Sequence, residues 1–333
     1  MANIALYGFG RIGRQFLRIA LENKLFTPVS VSDIHDVKTL ASLFQVDTNY
    51  GRFGEKVSTD GDNLVIGDKK IRYINSKAEI PDWKALGVDV VVDCTGRAVT
   101  RPGAQAHIDR GAKYVLISAA SKTLTDCDAV LLKGINLETF DADKHKIVSM
   151  GSCTTNALAA AIKVILDNFG IRYGLFSTVH SYTNTQSLTD QPMKDRRDSW
   201  AAAENIIPSA SGAARALQFI WKDLQITGKA YRVPTRTGSI AELNLLTEKE
   251  CTVEQVNAAF RNAAASGPLE GVLDVLEEEW TSARIVGDPH SSIIDIPLTV
   301  KQGELLSIAT WYDNEWGFTT RLAEVAQYIS QKI

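Results

Sequence analysis

The stretch Gly8-Phe9-Gly10-Arg11-Ile12-Gly13 decides the fold of the N-terminal half. It follows an apolar run from Asn3 to Tyr7, and the residues from Arg11 to Asn23 then place apolar side chains on one face at helical spacing. A G-x-G-x-x-G motif is a weak signal alone, but between a strand and a helix it is typical of a dinucleotide-binding βαβ unit. The alternative is an ordinary glycine turn.

Each glycine of the motif, and the start of the helix, has a separate use in cofactor binding. Gly8 permits a tight turn, Gly10 lets the backbone approach a pyrophosphate, and Gly13 allows the helix to pack closely on the strand. The helix start, with Arg11 and Ile12, offers unpaired N–H groups and a positive dipole end to phosphates. We predict that these five residues bind a dinucleotide.

Asp33 is the predicted partner of the adenosine ribose. It follows a second predicted strand, Pro28 to Ser32, and lies about 25 residues after Gly8. A carboxylate there binds ribose hydroxyls and repels the 2′-phosphate of NADP, so NAD is the expected cofactor. His35 and Lys38 are nearby cations that weaken the exclusion of NADP. The alternative is that Asp33 is a solvated loop residue.

Three further apolar runs in the first half are predicted to be buried strands. They are Val88 to Cys94, Lys113 to Ser118 and Lys146 to Ser149. Because strands and helices alternate, we predict an α/β fold with a doubly wound, Rossmann-type parallel sheet covered by helices. Thr95, Gly96 and Ser118, at the ends of these runs, are included among the predicted cofactor-binding residues.

The pattern changes after about residue 152. Helical spacing from Ala157 to Phe169, with Ser152 or Thr154 available as a cap, is followed by longer strand patterns. These strands are predicted at residues 173–180, 227–234, 238–246 and 293–310. The second half is therefore predicted to be an α+β domain with a mostly antiparallel sheet.

Two domains are predicted from these patterns, at residues 1–151 for NAD binding and at residues 152–317 for catalysis. A final amphipathic helix, residues 318–333, is predicted to pack back on the first domain. The polar connection at residues 181–206 is long, and loops of such length are usually functional or disordered.

The composition argues against several classes of function. The 333 residues carry a formal net charge of −3, with 45% hydrophobic and 23% charged residues, so there is no basic excess for nucleic acid or membranes. We find no secretory signal pattern and no apolar run of about 18 residues that could span a membrane. The four scattered cysteines lack zinc-ligand spacing, so no metal is expected. Their low number suits a reducing cytoplasm.

Cys153 is the candidate nucleophile. It lies in Gly151-Ser152-Cys153-Thr154-Thr155-Asn156, just before the predicted helix, where the helix dipole favours a thiolate. His180 ends an apolar run, Leu175 to Val179, and is the candidate base that such a cysteine needs. The spacing alone leaves open a capped helix and an unrelated histidine at a strand end.

The chain resembles the glyceraldehyde-3-phosphate dehydrogenase family over nearly its whole length. The matching stretches occur in the family's order and at close to its spacing. They are Tyr7-Gly8-Phe9-Gly10-Arg11-Ile12-Gly13-Arg14, Ser152-Cys153-Thr154-Thr155-Asn156, His180-Ser181-Tyr182-Thr183, Arg232-Val233-Pro234-Thr235 and Trp311-Tyr312-Asp313-Asn314-Glu315-Trp316-Gly317. The Ser-Cys-Thr-Thr-Asn stretch is highly specific.

This resemblance implies NAD-dependent oxidation of glyceraldehyde 3-phosphate to 1,3-bisphosphoglycerate in glycolysis. Cys153 would form a thiohemiacetal and then a thioester, and His180 would take the hydroxyl proton as hydride leaves. The Cys153 N–H and His180 would stabilise the oxyanion, and inorganic phosphate would release the acyl phosphate. The resemblance also implies a homotetramer in which residues 181–206 line a neighbouring subunit's cofactor site.

The same resemblance implies two anion sites, for which hydroxyls and a guanidinium are suitable groups. The predicted substrate-phosphate residues are Thr183, Thr185, Arg197 and Arg232. The predicted residues for the attacking phosphate are Ser152, Thr154, Ser211 and Gly212. Arg197 could instead be solvated, and Ser211 with Gly212 could form a turn. Asn314 matches the family residue that orients the nicotinamide amide.

Some residues depart from the family's pattern. Tyr7 replaces an asparagine, Ala157 a second cysteine and Ser211 a threonine. Arg236-Thr237-Gly238 replaces Pro-Asn-Val and adds a cation next to the phosphate region that could alter substrate preference. Together these departures predict a divergent member whose physiological substrate could differ from the family's usual one. One alternative is therefore an erythrose-4-phosphate dehydrogenase or another phosphorylated-aldehyde dehydrogenase. Another is a non-catalytic NAD- or RNA-binding scaffold, against which the intact Cys153 argues.

Overall fold

The structure, a computed structural model, describes residues 2–333, which divide into two compact units. The first unit comprises residues 2–132, Asn136–Gly151 and Thr319–Ile333. The second unit comprises Lys133–Ile135 and Ser152–Phe318. Each unit has a large sheet of its own.

The first unit is built on a nine-stranded sheet. Its strands are β1 (Ile4–Tyr7), β2 (Ser30–Asp33), β3 (Val46–Asp47), β4 (Gly51–Arg52), β5 (Val57–Asp60), β6 (Asn63–Ile66), β7 (Lys69–Asn75), β8 (Val90–Asp93), β9 (Tyr114–Ile117), β10 (Ala129–Val130) and β11 (Ile147–Ser149). The sheet order is β10-β11-β9-β8-β1-β2-β7-β6-β5, and β3 pairs only with β4. The pairs from β10 to β7 are parallel, whereas β6 and β5 add an antiparallel edge. The predicted Rossmann-type sheet is confirmed.

Three helices connect the parallel strands of this unit. They are α1 (Arg11–Glu22), α2 (Val37–Gln45) and α3 (Arg101–Asp109). In α1 the side chains of Phe16, Ile19 and Ala20 are buried, as their helical spacing predicts, whereas Ile12 of the same predicted face is only partly buried. Strand β1 lies between β2 and β8, so the chain continues on one side of β1 and later returns on its other side. In parallel sheets, ligands bind at the carboxyl ends of the strands, at the point where the strand order reverses in this way.

The second unit contains an eight-stranded mixed sheet. Its strands are β12 (Tyr173–Ser181), β13 (Ile207–Ser209), β14 (Ile226–Val233), β15 (Ser239–Leu246), β16 (Leu273–Leu276), β17 (Ser292–Asp295), β18 (Val300–Gln302) and β19 (Leu305–Tyr312). The order is β13-β14-β12-β15-β19-β17-β16, with β18 beside β19. Only the β12–β14 and β16–β17 pairs are parallel, so the predicted mostly antiparallel sheet is confirmed.

The prediction of one long strand at residues 293–310 is wrong. After β17 the chain forms a 3-10 turn, Ile296–Leu298, because Pro297 has no N–H to give to a sheet. Gly303, with φ +58°, then forms the turn between β18 and β19. These two residues divide the predicted strand into β17, β18 and β19.

Helix α4 (Cys153–Phe169) begins earlier than the apolar spacing predicted, and the reason is its cap. Ser152 Oγ accepts the Thr155 N–H at 3.1 Å, and Thr155 Oγ1 accepts the Ser152 N–H at 3.0 Å. This reciprocal capping box makes Cys153 the first helical residue. The other helices that lie within this unit are α5 (Ala213–Ile220), α6 (Val253–Ala265) and α7 (Ser282–Ile285).

The last helix, α8 (Trp316–Lys332), begins in the second unit and ends in the first. Asp313 Oδ1 accepts the Trp316 N–H at 2.9 Å, which satisfies a donor at the helix start. Within the first unit, Ser330 O accepts the Ala2 N–H at 3.1 Å. None of the helices within residues 2–333 is long and apolar enough to cross a membrane.

Candidate active site

The residues predicted for the cofactor site, apart from Asn314, lie at the carboxyl edge of the first unit's sheet. The glycine motif follows β1, Asp33 ends β2, residues 95–96 follow β8, and Ser118 follows β9. These strands are neighbours in the order β9-β8-β1-β2. The carboxyl edge at the reversal of a parallel sheet is where nucleotides bind in such folds.

The glycine turn has the close approach that the motif predicts. A Cβ on Gly13 would lie 2.0 Å from Gly8 O, and a Cβ on Gly8 would lie 2.8 Å from Thr95 Cγ2. Gly8 also has φ +93°, a value that favours glycine. A Cβ on Gly10 would meet no atom of the described residues within 4 Å. The turn is therefore tightly packed at Gly8 and Gly13 but open at Gly10, which fits a pyrophosphate.

Replacing Gly13 with alanine is expected to lower the free energy of unfolding by about 1–3 kcal/mol, because the added methyl group overlaps Gly8 O. Gly10→Ala is the matched control, and its free energy of unfolding without cofactor should fall by only about 0.5–1 kcal/mol, the cost of alanine in place of glycine at an N-cap. The Gly10 variant should instead bind NAD more weakly, because its methyl group fills the open space. Thermal unfolding and NAD titration check both variants, and an unchanged stability of Gly13→Ala would contradict the close approach.

The Arg11 side chain is already paired within the protein. Its guanidinium donates to Asp47 from Nη1 at 2.7 Å and from Nη2 at 3.2 Å. Gly10 supplies no side-chain cap to α1, and the first turn, which includes Ile12, has no acidic residue. Arg11 and Ile12 therefore contribute the backbone of a helix start, which suits phosphate, while the Arg11 charge is directed to Asp47.

Asp33 is ionised and held by several donors. Its Oδ2 accepts the Phe9 N–H at 2.7 Å, and its Oδ1 accepts the Ile34 N–H at 2.7 Å. His35 adds its backbone N–H at 3.1 Å and its Nδ1 at 2.8 Å, both to Oδ1. Burial acts to raise the pKa of Asp33, but these hydrogen bonds outweigh it and hold the pKa below its usual range. The carboxylate that NAD recognition needs is therefore present.

Asp93 and His107 form a buried pair beside Thr95 that was not predicted from the sequence. Asp93 Oδ1 accepts the Thr95 N–H at 2.8 Å and the Thr95 hydroxyl at 2.7 Å. Trp83 Nε1 donates to His107 Nδ1 at 3.1 Å, and an indole can only donate, so the His107 proton is on Nε2. That proton faces Asp93 Oδ2 at 3.1 Å. This network holds Thr95 where it contacts Gly8.

The structure brings Cys153 and His180 together in the second unit. Cys153 Sγ lies 3.3 Å from His180 Nε2. Cys153 is partly exposed at the start of α4, and His180 is buried near the end of β12. A thiol and an imidazole at this distance can act as a nucleophile and its base.

The electrostatics of this pair favour uncharged groups. Burial raises the pKa of the Cys153 thiol, while the Arg232 guanidinium and the N–H groups of the helix start act against it without outweighing it. Burial, together with Arg232, lowers the pKa of His180 to about 3. Both shifts favour a thiol beside a neutral imidazole, so burial opposes the thiolate that the helix dipole favours.

Arg232 contacts this pair directly. It lies opposite His180 in the parallel register of β14 and β12. Its Nη1 lies 2.6 Å from His180 Nδ1 and donates to Ser181 O at 3.2 Å. The sequence placed Arg232 in a phosphate site but gave no sign of a contact with His180.

A chain of three hydroxyl groups runs behind Cys153, and its central residue, Tyr312, was not predicted to have a role. Thr178 Oγ1 donates to Ile240 O at 3.1 Å and lies 2.7 Å from Tyr312 OH, which is 3.0 Å from Thr154 Oγ1. Because a carbonyl only accepts, Tyr312 must donate to Thr178, and Thr154 must donate to Tyr312. The hydroxyl proton of Thr154 is therefore used inside the protein, which leaves its oxygen as an acceptor.

The side-chain amide of Asn314 has a fixed orientation. Its Oδ1 lies within hydrogen-bonding distance of Ser181 Oγ at 2.7 Å, Ser239 Oγ at 3.1 Å and Thr237 Oγ1 at 3.4 Å. The Gly238 N–H also points to it at 3.2 Å, and because an N–H only donates, this atom is the amide oxygen. Among the described residues Asn314 Nδ2 has no partner, so the amide is oriented to donate.

The residues predicted to bind the substrate phosphate do not all contact one another through hydrogen bonds in the described part of the chain. Thr183 and Thr185 hydroxyl oxygens lie 2.9 Å apart after β12. Arg197 is exposed on a 3-10 helix, Arg196–Ser199, and its N–H donates to Asp195 Oδ1 at 3.0 Å. Within residues 2–333, no hydrogen bond connects Arg232 with Thr183 or with Arg197.

The hydroxyl groups predicted to bind the attacking phosphate already form hydrogen bonds within the protein. Ser152 Oγ serves the capping box of α4, and the Thr154 hydroxyl serves the chain to Tyr312. Ser211 Oγ accepts the Ala213 N–H at 3.3 Å, and Gly212 precedes α5. This hydrogen bond gives Ser211 a local role before α5, as the alternative interpretation of Ser211 and Gly212 expects. No group of three or more potential metal ligands occurs in the described part of the chain.

Comparison with known proteins gives matches over both halves of the chain. Residues 2–101 match the family model described as the glyceraldehyde 3-phosphate dehydrogenase NAD binding domain, and residues 152–314 match its C-terminal domain. The chain is 43% identical to glyceraldehyde-3-phosphate dehydrogenase of Kitasatospora aureofaciens over 337 aligned positions, covering 100% of both chains. It is 42% identical to glyceraldehyde-3-phosphate dehydrogenase 1 of Bacillus cereus, covering 100% of this chain and 99% of that one. It is 43% identical to the Geobacillus stearothermophilus enzyme, covering 99% and 98%.

Proposed function

The chain belongs to the glyceraldehyde-3-phosphate dehydrogenase family and is an NAD-dependent oxidoreductase, and on this premise we propose how its own residues perform the reaction. The reaction is the oxidation of glyceraldehyde 3-phosphate with phosphate to 1,3-bisphosphoglycerate. The observation that carries the proposal is the 3.3 Å contact between Cys153 Sγ and His180 Nε2 beside the Arg232 guanidinium.

The first step is the attack of Cys153 on the aldehyde carbon. The new bond joins Sγ to that carbon, while the thiol proton passes to His180 Nε2 and then to the aldehyde oxygen. The product is a thiohemiacetal. Because the thiol pKa is raised and the His180 pKa is lowered, both groups begin uncharged, which is the state that this proton transfer requires.

The second step is the oxidation of the thiohemiacetal. NAD, when bound, supplies the acceptor for the hydride that leaves the carbon. His180 Nε2 takes the hydroxyl proton at the same time, so that the carbonyl re-forms as a thioester on Cys153. The backbone N–H groups at the start of α4 lie at Cys153 and stabilise the negative charge that develops on the substrate oxygen.

The third step is the release of the acyl group. An oxygen of inorganic phosphate attacks the thioester carbon, the carbon–sulfur bond breaks, and Cys153 leaves as a thiolate that regains the proton from His180. The free energy of aldehyde oxidation is thereby retained in the acyl phosphate.

The phosphate groups require cationic and hydroxyl partners. We assign the substrate phosphate to Arg232, Thr183, Thr185 and Arg197, and the attacking phosphate to Ser152, Thr154, Ser211 and Gly212. For Thr154 the contribution is assigned to its backbone N–H, because its hydroxyl proton is directed to Tyr312. The exposed guanidinium of Arg197 would need to turn toward the substrate.

The cofactor is assigned to residues at the carboxyl edge of the first sheet. They are Gly8, Gly10, Arg11, Ile12, Gly13, Asp33, Thr95, Gly96 and Ser118. The donor orientation of Asn314 Nδ2 suits the carbonyl oxygen of a nicotinamide carboxamide, which is the role proposed for it. Residues 1–151 with the helix at 318–333 are accordingly proposed as the NAD-binding domain, and residues 152–317 as the catalytic domain.

Intact-protein mass spectrometry tests the thioester directly. With glyceraldehyde 3-phosphate and NAD but no phosphate, the chain is expected to gain one phosphoglyceroyl group. Adding phosphate should remove this group, and a Cys153→Ser chain should not acquire it. An acyl group that forms elsewhere, or that phosphate fails to remove, would count against the proposed mechanism.

We also propose that the protein is a homotetramer, for which exposed apolar side chains are the support. In the segment 181–206, Leu188, Trp200 and Ile206 are each more than half exposed. On β12, Tyr173 and Leu175 are also more than half exposed and line a groove. Large apolar side chains that are exposed on a surface indicate an interaction site, and further copies of this chain are the proposed occupants.

Replacing both Tyr173 and Leu175 with lysine is expected to weaken this assembly, because the charges would be buried in the interface. Light scattering should show four copies for the unchanged protein and fewer for the variant. Leu124→Lys, at an exposed apolar position of the first unit, is the matched control and should keep four copies. A monomeric unchanged protein would contradict the proposal.

A cytoplasmic location and a role in glycolysis complete the proposal. All four cysteines are free thiols, which suits a reducing compartment. The nucleophile Cys153 is partly exposed, so its thiol would be open to oxidation in an oxidising compartment.

A further inference from the structure

His180 Nδ1 has two neighbours that make opposite demands on it. Arg232 Nη1 lies 2.6 Å away, and Ser181 O lies 2.7 Å away. A guanidinium can only donate a hydrogen bond, whereas a carbonyl oxygen can only accept one. In a neutral imidazole, Nδ1 can accept a hydrogen bond from Arg232 only when Nδ1 is unprotonated. It can donate a hydrogen bond to Ser181 O only when Nδ1 carries the ring proton.

The choice at Nδ1 sets the chemistry at the other ring nitrogen. When Nδ1 accepts from Arg232, the single ring proton is on Nε2 and points to Cys153 Sγ. In that tautomer Nε2 has no lone pair for a proton from the thiol or from the thiohemiacetal. When Nδ1 instead donates to Ser181 O, Nε2 has a free lone pair and can act as a base.

The arrangement seen in the structure favours the first tautomer. The same Nη1 of Arg232 also donates to Ser181 O at 3.2 Å, so Arg232 serves the carbonyl that a protonated Nδ1 would otherwise serve. A doubly protonated imidazole is disfavoured, since burial and Arg232 lower the pKa of His180. Arg232 Nε is buried and has no partner among the described residues, so the guanidinium has donor capacity left for a ligand.

We propose that Arg232 is a positioning residue that holds His180 in the inactive tautomer, and that the substrate's phosphate releases it. This inference rests on the proposed function, in which Arg232 binds that phosphate. A phosphate oxygen carries negative charge and is a stronger acceptor for a guanidinium than a neutral imidazole nitrogen. Arg232 therefore turns to the phosphate, and Nδ1 becomes available to Ser181 O.

The tautomer change conserves protons. Nδ1 takes up one proton from water and Nε2 releases one to water, so the ring stays neutral. The lone pair that forms on Nε2 faces Cys153 Sγ and can accept the thiol proton. The base is thereby formed only when a phosphorylated ligand occupies the site, and phosphate binding affects the rate of the chemical step as well as affinity.

The inference is tested by solid-state ¹⁵N NMR of full-length protein labelled at histidine, because protonated and unprotonated ring nitrogens have well-separated shifts. A His180→Asn sample assigns the signals. Without phosphate, we expect Nε2 protonated and Nδ1 unprotonated. With inorganic phosphate as the probe, the two signals should exchange positions.

Two arginine variants make the test specific. Arg232→Met should show a protonated Nδ1 with and without phosphate, because no guanidinium competes for it. Arg236→Met, which replaces an exposed arginine just after β14, should retain the resting tautomer of the unchanged protein. A protonated Nδ1 in the phosphate-free unchanged protein would overturn the inference. So would unchanged ¹⁵N shifts in a sample whose ³¹P spectrum shows a bound phosphate that the Arg232→Met sample lacks.

These outcomes are independent of turnover. If phosphate-dependent turnover is found without the tautomer exchange, only this inference fails. If the exchange is found without turnover, the proposed function fails while the role of Arg232 stands.

Discussion

A Cys153→Ser variant is expected to lose NADH formation by at least about 10⁴-fold, because a hydroxyl is a far weaker nucleophile than a thiol and forms no thioester. The substitution changes one atom at the start of α4, where serine is tolerated. The fold and NAD binding should therefore persist. Steady-state assays of NADH formation, with circular dichroism of the same samples, measure the effect.

The matched control is Cys127→Ser. Cys127 is a buried free thiol near Ser121 Oγ at 3.5 Å, so serine keeps a polar partner there. Among the described residues Cys127 has no histidine within hydrogen-bonding distance, so it lacks the base that a cysteine nucleophile needs. We expect turnover of this control to stay within about tenfold of the unchanged protein, since only folding stability is at risk. Residual turnover of similar size in Cys153→Ser would show that Cys153 is not the nucleophile.

The second large effect is expected from His180→Asn, which should lower turnover by about 10²–10⁴-fold because the base at 3.3 Å from the thiol is lost. Asparagine keeps a polar side chain in the buried space but cannot take a proton. The rate of thioester formation, measured as a single turnover of NADH, should fall with it. A loss confined to KM would contradict the role of His180 as a base.

The pH profile gives an independent check on His180. Its pKa lies at about 3 in the free protein, lowered by burial and by Arg232. An ordinary histidine would be half protonated at about pH 6.5 and would lose base activity below it. We therefore expect kcat/KM to show no acid limb near that pH, because His180 stays neutral down to far lower pH. A limb near pH 6.5 that disappears in His180→Asn would contradict the lowered pKa.

The parts of the site that could be predicted are those encoded locally. The glycine turn needs glycine at positions fixed by φ and by close approach, as Gly8 and Gly13 show. The start of α4 is encoded by its cap, and the predicted Ser152 supplies it. The family and its chemistry followed from such short stretches, and the comparisons confirm the family.

The parts that could not be predicted depend on strand register. His180 meets Arg232 only because β12 and β14 pair in parallel with these two residues opposite each other. Tyr312 reaches Thr154 and Thr178 because β19 lies next to β15, which in turn pairs with β12. Nothing in the sequence near any of these residues specifies which strands become neighbours. The competing demands on His180 Nδ1 were therefore invisible before the structure.

Burial was the other quantity that the sequence left open. Cys153 at a helix start suggested a stabilised thiolate, and the helix N–H groups do act in that direction. The net shift of the thiol pKa is nevertheless upward, because desolvation depends on how the surrounding chain packs. The long strand predicted at residues 293–310 failed for a simpler reason, since Pro297 and Gly303 break it.

The central claim is phosphorylating oxidation through Cys153, and steady-state NADH formation on glyceraldehyde 3-phosphate tests it most directly. The measurement is made with NAD, with and without inorganic phosphate, and with erythrose 4-phosphate as the comparison substrate. We predict sustained turnover on glyceraldehyde 3-phosphate with phosphate, and no more than about one NADH per chain without it, because the thioester then accumulates. Turnover that is indifferent to phosphate, or that is faster on erythrose 4-phosphate, would contradict the account.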